Sequence, residues 1–162
     1  MVPTVSVQRE DFDFGSEIEA LHAGQPAVGA VASFVGLCRD EGGRLAALEL
    51  EHYPGMAEAE IGRVAAEAGE RWPLQALTVI HRYGRLRPGD RIVLVAAASS
   101  HRESAFAAAG FIMDYLKTRA PFWKREHLAE GGAGGWVDAK ATDDAAASRW
   151  AACADADTTS EP

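Results

Sequence analysis

The chain has 162 residues, of which 48% are hydrophobic and 25% charged, and its net charge is −8. This length and composition fit one globular domain with a real core. The acidic balance argues against a nucleic-acid-binding protein, because such proteins usually carry a basic face. Any local cluster of cations is therefore more informative here than it would be in a basic protein.

Cysteine usage and the N-terminus bear on the cellular compartment. Cys38 and Cys153 are far apart and outside any metal-ligand spacing. We therefore expect a reduced intracellular protein without a metal site or other cofactor. Residues 1–10 lack the basic start and apolar core of a signal peptide, and no apolar stretch is long enough to span a membrane. We expect a cytoplasmic protein by elimination.

Residue patterns predict five elements in the first part of the chain. They are a short strand around Val5 and Val7, a helix closed by Gly24, a buried strand over residues 28–38, a strand with one exposed face over residues 44–51, and a helix from Pro54 to about Trp72. Ser16 and Glu19 have capping-box spacing, which places the start of the first helix at Ser16.

The second part of the chain ends with a segment that we expect to be disordered. Before it, the patterns predict a strand over residues 77–80, a turn at 87–90, a central strand over 92–98, a long helix ended by Pro121, a flexible loop over 131–135 and a weak helix over 142–152.

Strands and helices mix without regular alternation. This favours a single α+β domain, with a mixed, mainly antiparallel sheet and flanking helices, over residues 1–150. Residues 151–162 form the expected disordered tail, most clearly from Asp155 onward.

The corner between the central strand and the long helix is the most informative spot. Ser100 and Glu103 have capping-box spacing, and His101 and Arg102 lie between them. Cations at the positive end of a helix are locally unfavourable, and a bound phosphate or carboxylate would relieve the clash. The alternative is that Glu103 pairs with Arg102 and that His101 is an ordinary edge residue.

Two lysines flank the turn that ends the long helix. Lys117 falls in the last turn, where a cation simply complements the helix dipole. Lys124 follows the rigid segment APFW at 120–123, which we expect to be partly buried. A lysine in an apolar wall near other cations has a lowered pKa, which suits acid–base or nucleophilic work.

Other polar residues carry weaker signals. Arg39 and the pair His81-Arg82 lie at strand ends, where side chains are often simply solvated. Glu126 has the ordinary interpretation of a salt bridge with Lys124 or Arg125. Cys38 is interpreted as a small buried hydrophobe rather than a nucleophile.

Five ordered motifs give the chain a family resemblance. They are SFVGLCR at 33–39, LEHYPGM at 50–56, VIHRYG at 79–84, SSHR with AF at 99–106, and MDYLKTRAPFWKRE at 113–126. The chain resembles the MoaE family, the large catalytic subunits of molybdopterin synthase, from about residue 29 to residue 150. It departs modestly, with Leu37 where some members carry a lysine and Cys38 where valine is common.

The resemblance implies a sulfurtransferase of molybdenum cofactor biosynthesis. Such an enzyme converts cyclic pyranopterin monophosphate to molybdopterin by installing two sulfurs as a dithiolene. The sulfur arrives as a thiocarboxylate on the C-terminal glycine of a small ubiquitin-like subunit ending in Gly-Gly. The implied assembly is a heterotetramer around a dimer of large subunits, and the implied fold is an α/β hammerhead.

The resemblance also assigns roles to individual residues. Lys117 and Lys124 match the two active-site lysines of the family. Further residues match substrate-binding positions or flank the second lysine as they do in the family: Arg39, His101, Arg102, Arg125 and Glu126. We expect three of these, Arg39, His101 and Arg102, to hold the substrate phosphate. The two lysines would manage protons and stabilise an oxyanion.

Two other function classes remain open on the sequence. A different phosphate-ester-handling enzyme would use the same anion site without a protein partner, although acidic metal-ligand motifs are missing from the sequence. A non-catalytic module that only receives a ubiquitin-like tail would tolerate loss of Lys117 and Lys124.

Overall fold

The computed structural model describes residues 1–137 and 141–152, and this part of the chain forms eight strands and four helices. The strands are β1 (Thr4–Gln8), β2 (Ala30–Leu37), β3 (Leu45–His52), β4 (Leu74–Arg82), β5 (Gly84–Leu86), β6 (Arg91–Ser99), β7 (Phe122–Leu128) and β8 (Ala133–Trp136). The helices are α1 (Phe14–His22), α2 (Met56–Arg71), α3 (Arg102–Thr118) and α4 (Ala141–Ala152). The α+β class is confirmed. Of the predicted disordered tail over residues 151–162, the first two residues belong to α4 instead, and residues 153–162 lie outside the described part of the chain.

The strands form two four-stranded sheets. Sheet A has the order β1-β4-β6-β2 and sheet B the order β5-β3-β7-β8. Strand β1 pairs with β4 in parallel, and the other described pairs are antiparallel, as predicted. Strand β6 is central and buried from Val93 to Ser99, in agreement with its continuous apolar run.

Helices cover both faces of sheet A. Helices α2 and α3 pack on one face and form the larger core, which includes Ile61, Val64, Leu77, Val95 and Ile112. Helix α1 packs on the other face through Leu21 against Ile80 and Leu94. None of the described helices is both long and apolar enough to cross a membrane.

Two predicted helix starts are wrong in detail. Helix α1 begins at Phe14, because the Asp13 carboxylate accepts a hydrogen bond from the backbone N–H of Ser16 at 2.7 Å. Ser16 therefore lies inside the helix instead of capping it. Helix α3 has His101 as its N-cap, without any side-chain capping hydrogen bond. Ser100 does not cap α3, since the chain enters the helix one residue later.

The glycine-rich segment at 131–135 is not the loop that we predicted. Gly131 and Gly132 have φ angles of +88° and +115°, which suit glycine in a tight turn. The following residues form β8, which pairs with β7 through Arg125–Trp136 and His127–Ala133. Strand propensity is low for glycine, so this strand depends on its partner rather than on its own sequence.

Candidate active site

A cavity of about 600 Å³ opens where the C-terminal end of α3 meets the two sheets. Its walls are largely apolar and include Phe34, Leu37, Leu48, Leu50, Ile92, Met113, Leu116 and Val137. Its polar lining consists of Arg39, Glu41, His81, Lys117, Lys124 and Glu126. Charged groups in an apolar cavity interact more strongly than the same groups in water, because the local dielectric is lower.

The structure brings Lys117 and Lys124 to this cavity from two adjoining elements. Lys117 lies in the last turn of α3, and the chain then turns tightly, with the Phe122 N–H donating to the Ala120 carbonyl oxygen at 2.8 Å. Strand β7 begins at Phe122, so Lys124 follows within the strand, opposite Leu50 of β3. The turn that ends α3 therefore brings the two lysines that flank it in the sequence to one cavity.

A chain of ion pairs lines the rim of the cavity beside the lysines. Arg39 donates to the Glu41 carboxylate at 3.1 Å, and Arg44 donates to the other oxygen of Glu41 at 2.8 Å. Arg44 also pairs with Glu126 at 3.2 Å. The hydrogen bonds from Arg44 and Arg39 lower the pKa of Glu41, so this carboxylate stays ionised. The Arg39 side chain is 77% exposed, which leaves its guanidinium accessible to an incoming anion.

The position of Arg39 depends on the turn between β5 and β6. Next to it in the chain, Cys38 donates its backbone N–H to the Asp90 carbonyl oxygen and accepts from Gly89, both at 2.8 Å. The Cys38 side chain is buried, and burial raises the pKa of its thiol. A buried thiol with a raised pKa is a poor nucleophile, in agreement with our interpretation of Cys38 as a small hydrophobe.

His81 is a residue of this cavity whose importance the sequence did not reveal. It ends the buried run of β4, is 6% exposed, and stacks on the Phe122 ring with centroids 3.9 Å apart. Burial lowers the pKa of His81 to about 4, with a further contribution from the positive charges of Lys124 and Lys117. The imidazole is therefore neutral at neutral pH. A histidine directly after a continuous apolar strand was the signal that could have identified it.

Glu126 and Arg125, which flank Lys124 in the predicted site, lie on opposite faces of β7. Side chains alternate along a strand, so Glu126 lines the cavity with Lys124 while Arg125 points to the other face of sheet B. There the guanidinium of Arg125 lies 4.3 Å from the centre of the Trp136 ring. The structure therefore separates Arg125 from the cavity within one chain, and its role in substrate binding stays a prediction.

His101 and Arg102 also lie far from this cavity within one chain. They occupy the N-terminal end of α3, whereas Lys117 lies in its last turn. Because a helix rises about 1.5 Å per residue, these two ends are about 20 Å apart. The pairing of β2 with β6 gives the same separation, since Ala30 lies opposite Ser99 and Leu37 opposite Arg91. Arg39 is thus at the opposite end of the sheet from His101.

The charges of the site are suited to organic anions. In residues 1–137 and 141–152 there is no group of three or more side chains that could hold a metal. Lys117, Lys124 and Arg39 instead present cationic donors, which bind phosphate and carboxylate groups and stabilise developing oxyanions. The arrangement is that of a site for polar chemistry on an anionic substrate.

Comparisons with known proteins agree on one family. The MoaE protein family model matches residues 7–119. The molybdopterin synthase catalytic subunit of Mesorhizobium japonicum is 69% identical over 150 residues, covering 93% of this chain and 94% of that protein. The solved structure of the molybdopterin biosynthesis MoaE protein from Burkholderia ambifaria is 53% identical with a TM-score of 0.79, covering 92% of this chain and 98% of that one. The X-ray structure of molybdopterin synthase from Staphylococcus aureus is 30% identical with a TM-score of 0.73, covering 82% of this chain and 95% of that one.

Proposed function

Because the chain belongs to the MoaE protein family, we propose that it is the catalytic subunit of a molybdopterin synthase. In this role it transfers two sulfur atoms, one from each of two thiocarboxylated small subunits, to cyclic pyranopterin monophosphate, forming the molybdopterin dithiolene. The observation that carries the proposal is the meeting of Lys117, Lys124 and Arg39 in one largely apolar cavity. The positive charge of these side chains attracts an anionic substrate and stabilises the oxyanion that forms during acyl-group transfer.

The two lysines serve the chemical step. The thiocarboxylate sulfur bonds to a carbon of the pterin side chain in place of an oxygen, which gives a thioester with the small subunit. Water then hydrolyses this thioester, so the sulfur stays on the pterin and the small subunit leaves with a C-terminal carboxylate. The hydrolysis passes through an oxyanion, which an ammonium group within hydrogen-bond reach stabilises. A second lysine that exchanges a proton with the reacting group provides general acid–base catalysis. Lys117 and Lys124 come from different elements, so they can approach the reacting atoms from two sides.

The partner is a small ubiquitin-like sulfur carrier with a C-terminal Gly-Gly thiocarboxylate. The relatives are named catalytic subunits, a name that implies at least one further subunit. A narrow, extended glycine tail fits a cavity with apolar walls and cationic donors inside, because its backbone is slim and its end is anionic. Two apolar residues of the cavity, Phe34 and Leu37, are 43% and 56% exposed and offer surface to such a tail.

The substrate phosphate requires a second copy of this chain. Arg39 and the pair His101-Arg102 lie at opposite ends of sheet A, so they cannot hold one phosphate within a single chain. In a two-fold dimer every contact occurs twice. A dimer in which the N-terminal end of α3 of each copy reaches the cavity of the other would therefore complete two sites. We accordingly propose a homodimer within a heterotetramer, with His101 and Arg102 acting across the interface.

The two alternative functions make different predictions about the lysines and the partner. A module that only binds a ubiquitin-like tail has no need for Lys117 and Lys124 in the same cavity. A phosphate-ester-handling enzyme of another kind would turn over its substrate without any protein partner. The gathering of both lysines beside Arg39 favours an enzyme over a binding module, and membership of the MoaE protein family favours sulfur transfer over another phosphate-ester chemistry.

The proposal also places the protein in the cytoplasm, where thiols remain reduced. Cys38 is a free, buried thiol, which suits a reducing compartment. Fractionation of cells carrying the tagged chain would test this location, and recovery from the membrane or the periplasm would contradict it.

The function is tested by single-turnover conversion of cyclic pyranopterin monophosphate. The purified chain is mixed with a thiocarboxylated small subunit, and dithiolene formation is followed by mass spectrometry. We expect product only when chain, thiocarboxylate and pterin are all present. Conversion without the small subunit would favour the other enzyme class, and tight tail binding without conversion would favour the binding module.

A further inference from the structure

His81 is a neutral polar group in a cavity that also holds two ammonium groups, a guanidinium and two carboxylates. Its Nδ1 lies 2.9 Å from the carbonyl oxygen of Arg82. Because a carbonyl oxygen only accepts hydrogen bonds, Nδ1 of the neutral ring carries the proton and donates it to that oxygen. The other ring nitrogen, Nε2, is left with a lone pair as a hydrogen-bond acceptor.

The orientation of the ring is fixed by the strand that carries Lys124. The His81 imidazole lies almost parallel to the Phe122 ring, with an angle of 16° between the two planes. Phe122 and Lys124 are two positions apart in β7, so their side chains leave the same face of the strand. His81 and Lys124 therefore line the same cavity, and the charge of Lys124 is near enough to lower the pKa of His81.

We propose that His81 is a positioning residue, which accepts a hydrogen bond at Nε2 from the Lys124 ammonium group and so orients it for sulfur transfer. This inference rests on the proposed function. An ammonium group has three donors, so one bond to His81 leaves two for the substrate, the partner tail or other groups of the protein. His81 itself need not touch the substrate.

A neutral acceptor performs this task better than a carboxylate would. The cavity already holds the carboxylates of Glu41 and Glu126, and a further carboxylate beside Lys124 would reduce the positive charge that the site needs for an anionic substrate. A neutral imidazole fixes the direction of the ammonium group and leaves its charge available. Burial keeps His81 in this neutral form, and the nearby charges of Lys124 and Lys117 act in the same direction.

Two variants separate this role from simple packing. His81→Phe keeps an aromatic ring that can stack on Phe122 but has no acceptor. His81→Gln loses the ring but keeps a carbonyl oxygen near the position of Nε2. We expect His81→Phe to lower the maximal single-turnover rate by about ten- to a hundredfold, the cost of a hydrogen bond to a charged group. The pterin concentration that gives the half-maximal rate should stay unchanged, and His81→Gln should recover most of the loss.

The contrary outcomes are equally distinct. A wild-type rate in His81→Phe would overturn the inference. A lower single-turnover rate in both variants, accompanied by a lower melting temperature, would also overturn it, because that pattern indicates a packing role. Nitrogen-15 spectra of the lysine ammonium groups give a readout independent of turnover: we expect the Lys124 signal, identified by its absence in Lys124→Arg, to disappear in His81→Phe. If the Lys124 signal is present in the wild type and lost in His81→Phe, but the wild-type protein transfers no sulfur, the proposed function fails while the hydrogen bond stands.

Discussion

The imidazole of His81 in β4 stacks on the phenyl ring of Phe122 in β7, with ring centroids 3.9 Å apart. This contact joins sheet A to sheet B at the point where α3 ends. His52 of β3 extends the cluster, with its ring centroid 6.1 Å from that of Phe122. The two sheets therefore meet around an aromatic cluster, and Lys124 lies two residues after Phe122 in β7.

Loss of either cavity lysine should abolish most of the sulfur transfer without unfolding the protein. We expect Lys117→Ala and Lys124→Ala each to lower the single-turnover rate by about a hundredfold or more, because each removes a proton-transfer or charge-stabilising group. Folding should barely change for Lys117→Ala, since a cation at an exposed helix end contributes at most about 1 kcal/mol. Single-turnover assays and melting curves measure both effects.

Arg87→Ala is a matched control, since this residue lies outside the lining of the cavity. It should transfer sulfur at the wild-type rate. A Lys124→Ala protein that folds normally, binds both substrates and still transfers sulfur at the wild-type rate would show that the catalytic assignment is wrong.

Two arginines from opposite ends of sheet A should both contribute to pterin binding. Arg39→Ala and Arg102→Ala should each weaken binding of cyclic pyranopterin monophosphate by roughly 1.5–3 kcal/mol, because each removes a charge-assisted hydrogen bond to phosphate. Calorimetric titration of the dimer measures this loss. Unchanged binding in both variants would show that Arg39 and Arg102 do not form the phosphate site.

A mixed dimer tests whether the site is shared between two copies. Lys124→Ala and Arg102→Ala proteins are each impaired alone, but in a shared arrangement their heterodimer contains one site with both changes and one with neither. We expect co-expression with two affinity tags to give heterodimers that recover activity. Sedimentation should first show the isolated chain at twice its monomer mass. A heterodimer as inactive as its parents would place each complete site within one chain.

The buried histidine should make stability depend on pH. The pKa of His81 is about 4 in the folded chain and 6.5 for an unperturbed histidine, so the unfolded chain binds the extra proton between these values. The contribution of neutral His81 to the free energy of unfolding is therefore fully present above pH 6.5. It decreases as the pH drops towards 4, by at most about 1.4 kcal/mol per pH unit. Denaturant unfolding of the wild type and His81→Phe across this range measures the difference between them.

The positive groups around His81 are Lys124, Lys117 and the ionisable His52, and their repulsion acts in the same direction as burial. In His81→Phe this part of the pH dependence should be missing. Identical slopes in the two proteins between pH 6.5 and 4 would mean that His81 titrates normally in the folded state.

Removal of residues 155–162 should leave the enzyme unchanged. This segment consists of small and polar residues, whose burial cannot compensate for the entropy lost on ordering. We expect a chain that ends at residue 154 to melt within a degree or two of the full chain and to transfer sulfur equally well. A large loss of stability or activity would show that the segment packs against the domain or acts at the site.

The sequence by itself predicted the elements whose signals are local. The apolar run before Ser99 predicts the central strand, and the apolar stripe ended by Pro121 predicts α3. Lys117 and Lys124 lie on either side of that proline turn, so their approach to one cavity followed from a short stretch of chain. Periodicity and turn chemistry act over a few residues, and here they decided the structure.

Other features were decided only by tertiary structure, because they depend on residues far apart in the chain. Strand β8 contains glycines with little strand propensity and exists through its pairing with β7. Arg39 and His101 are at opposite ends of one sheet because β2 and β6 run antiparallel, a register that neither segment encodes alone. His81 is neutral because two sheets and two lysines surround it. Burial and electrostatic environment are sums over many distant neighbours, and only the folded chain specifies them.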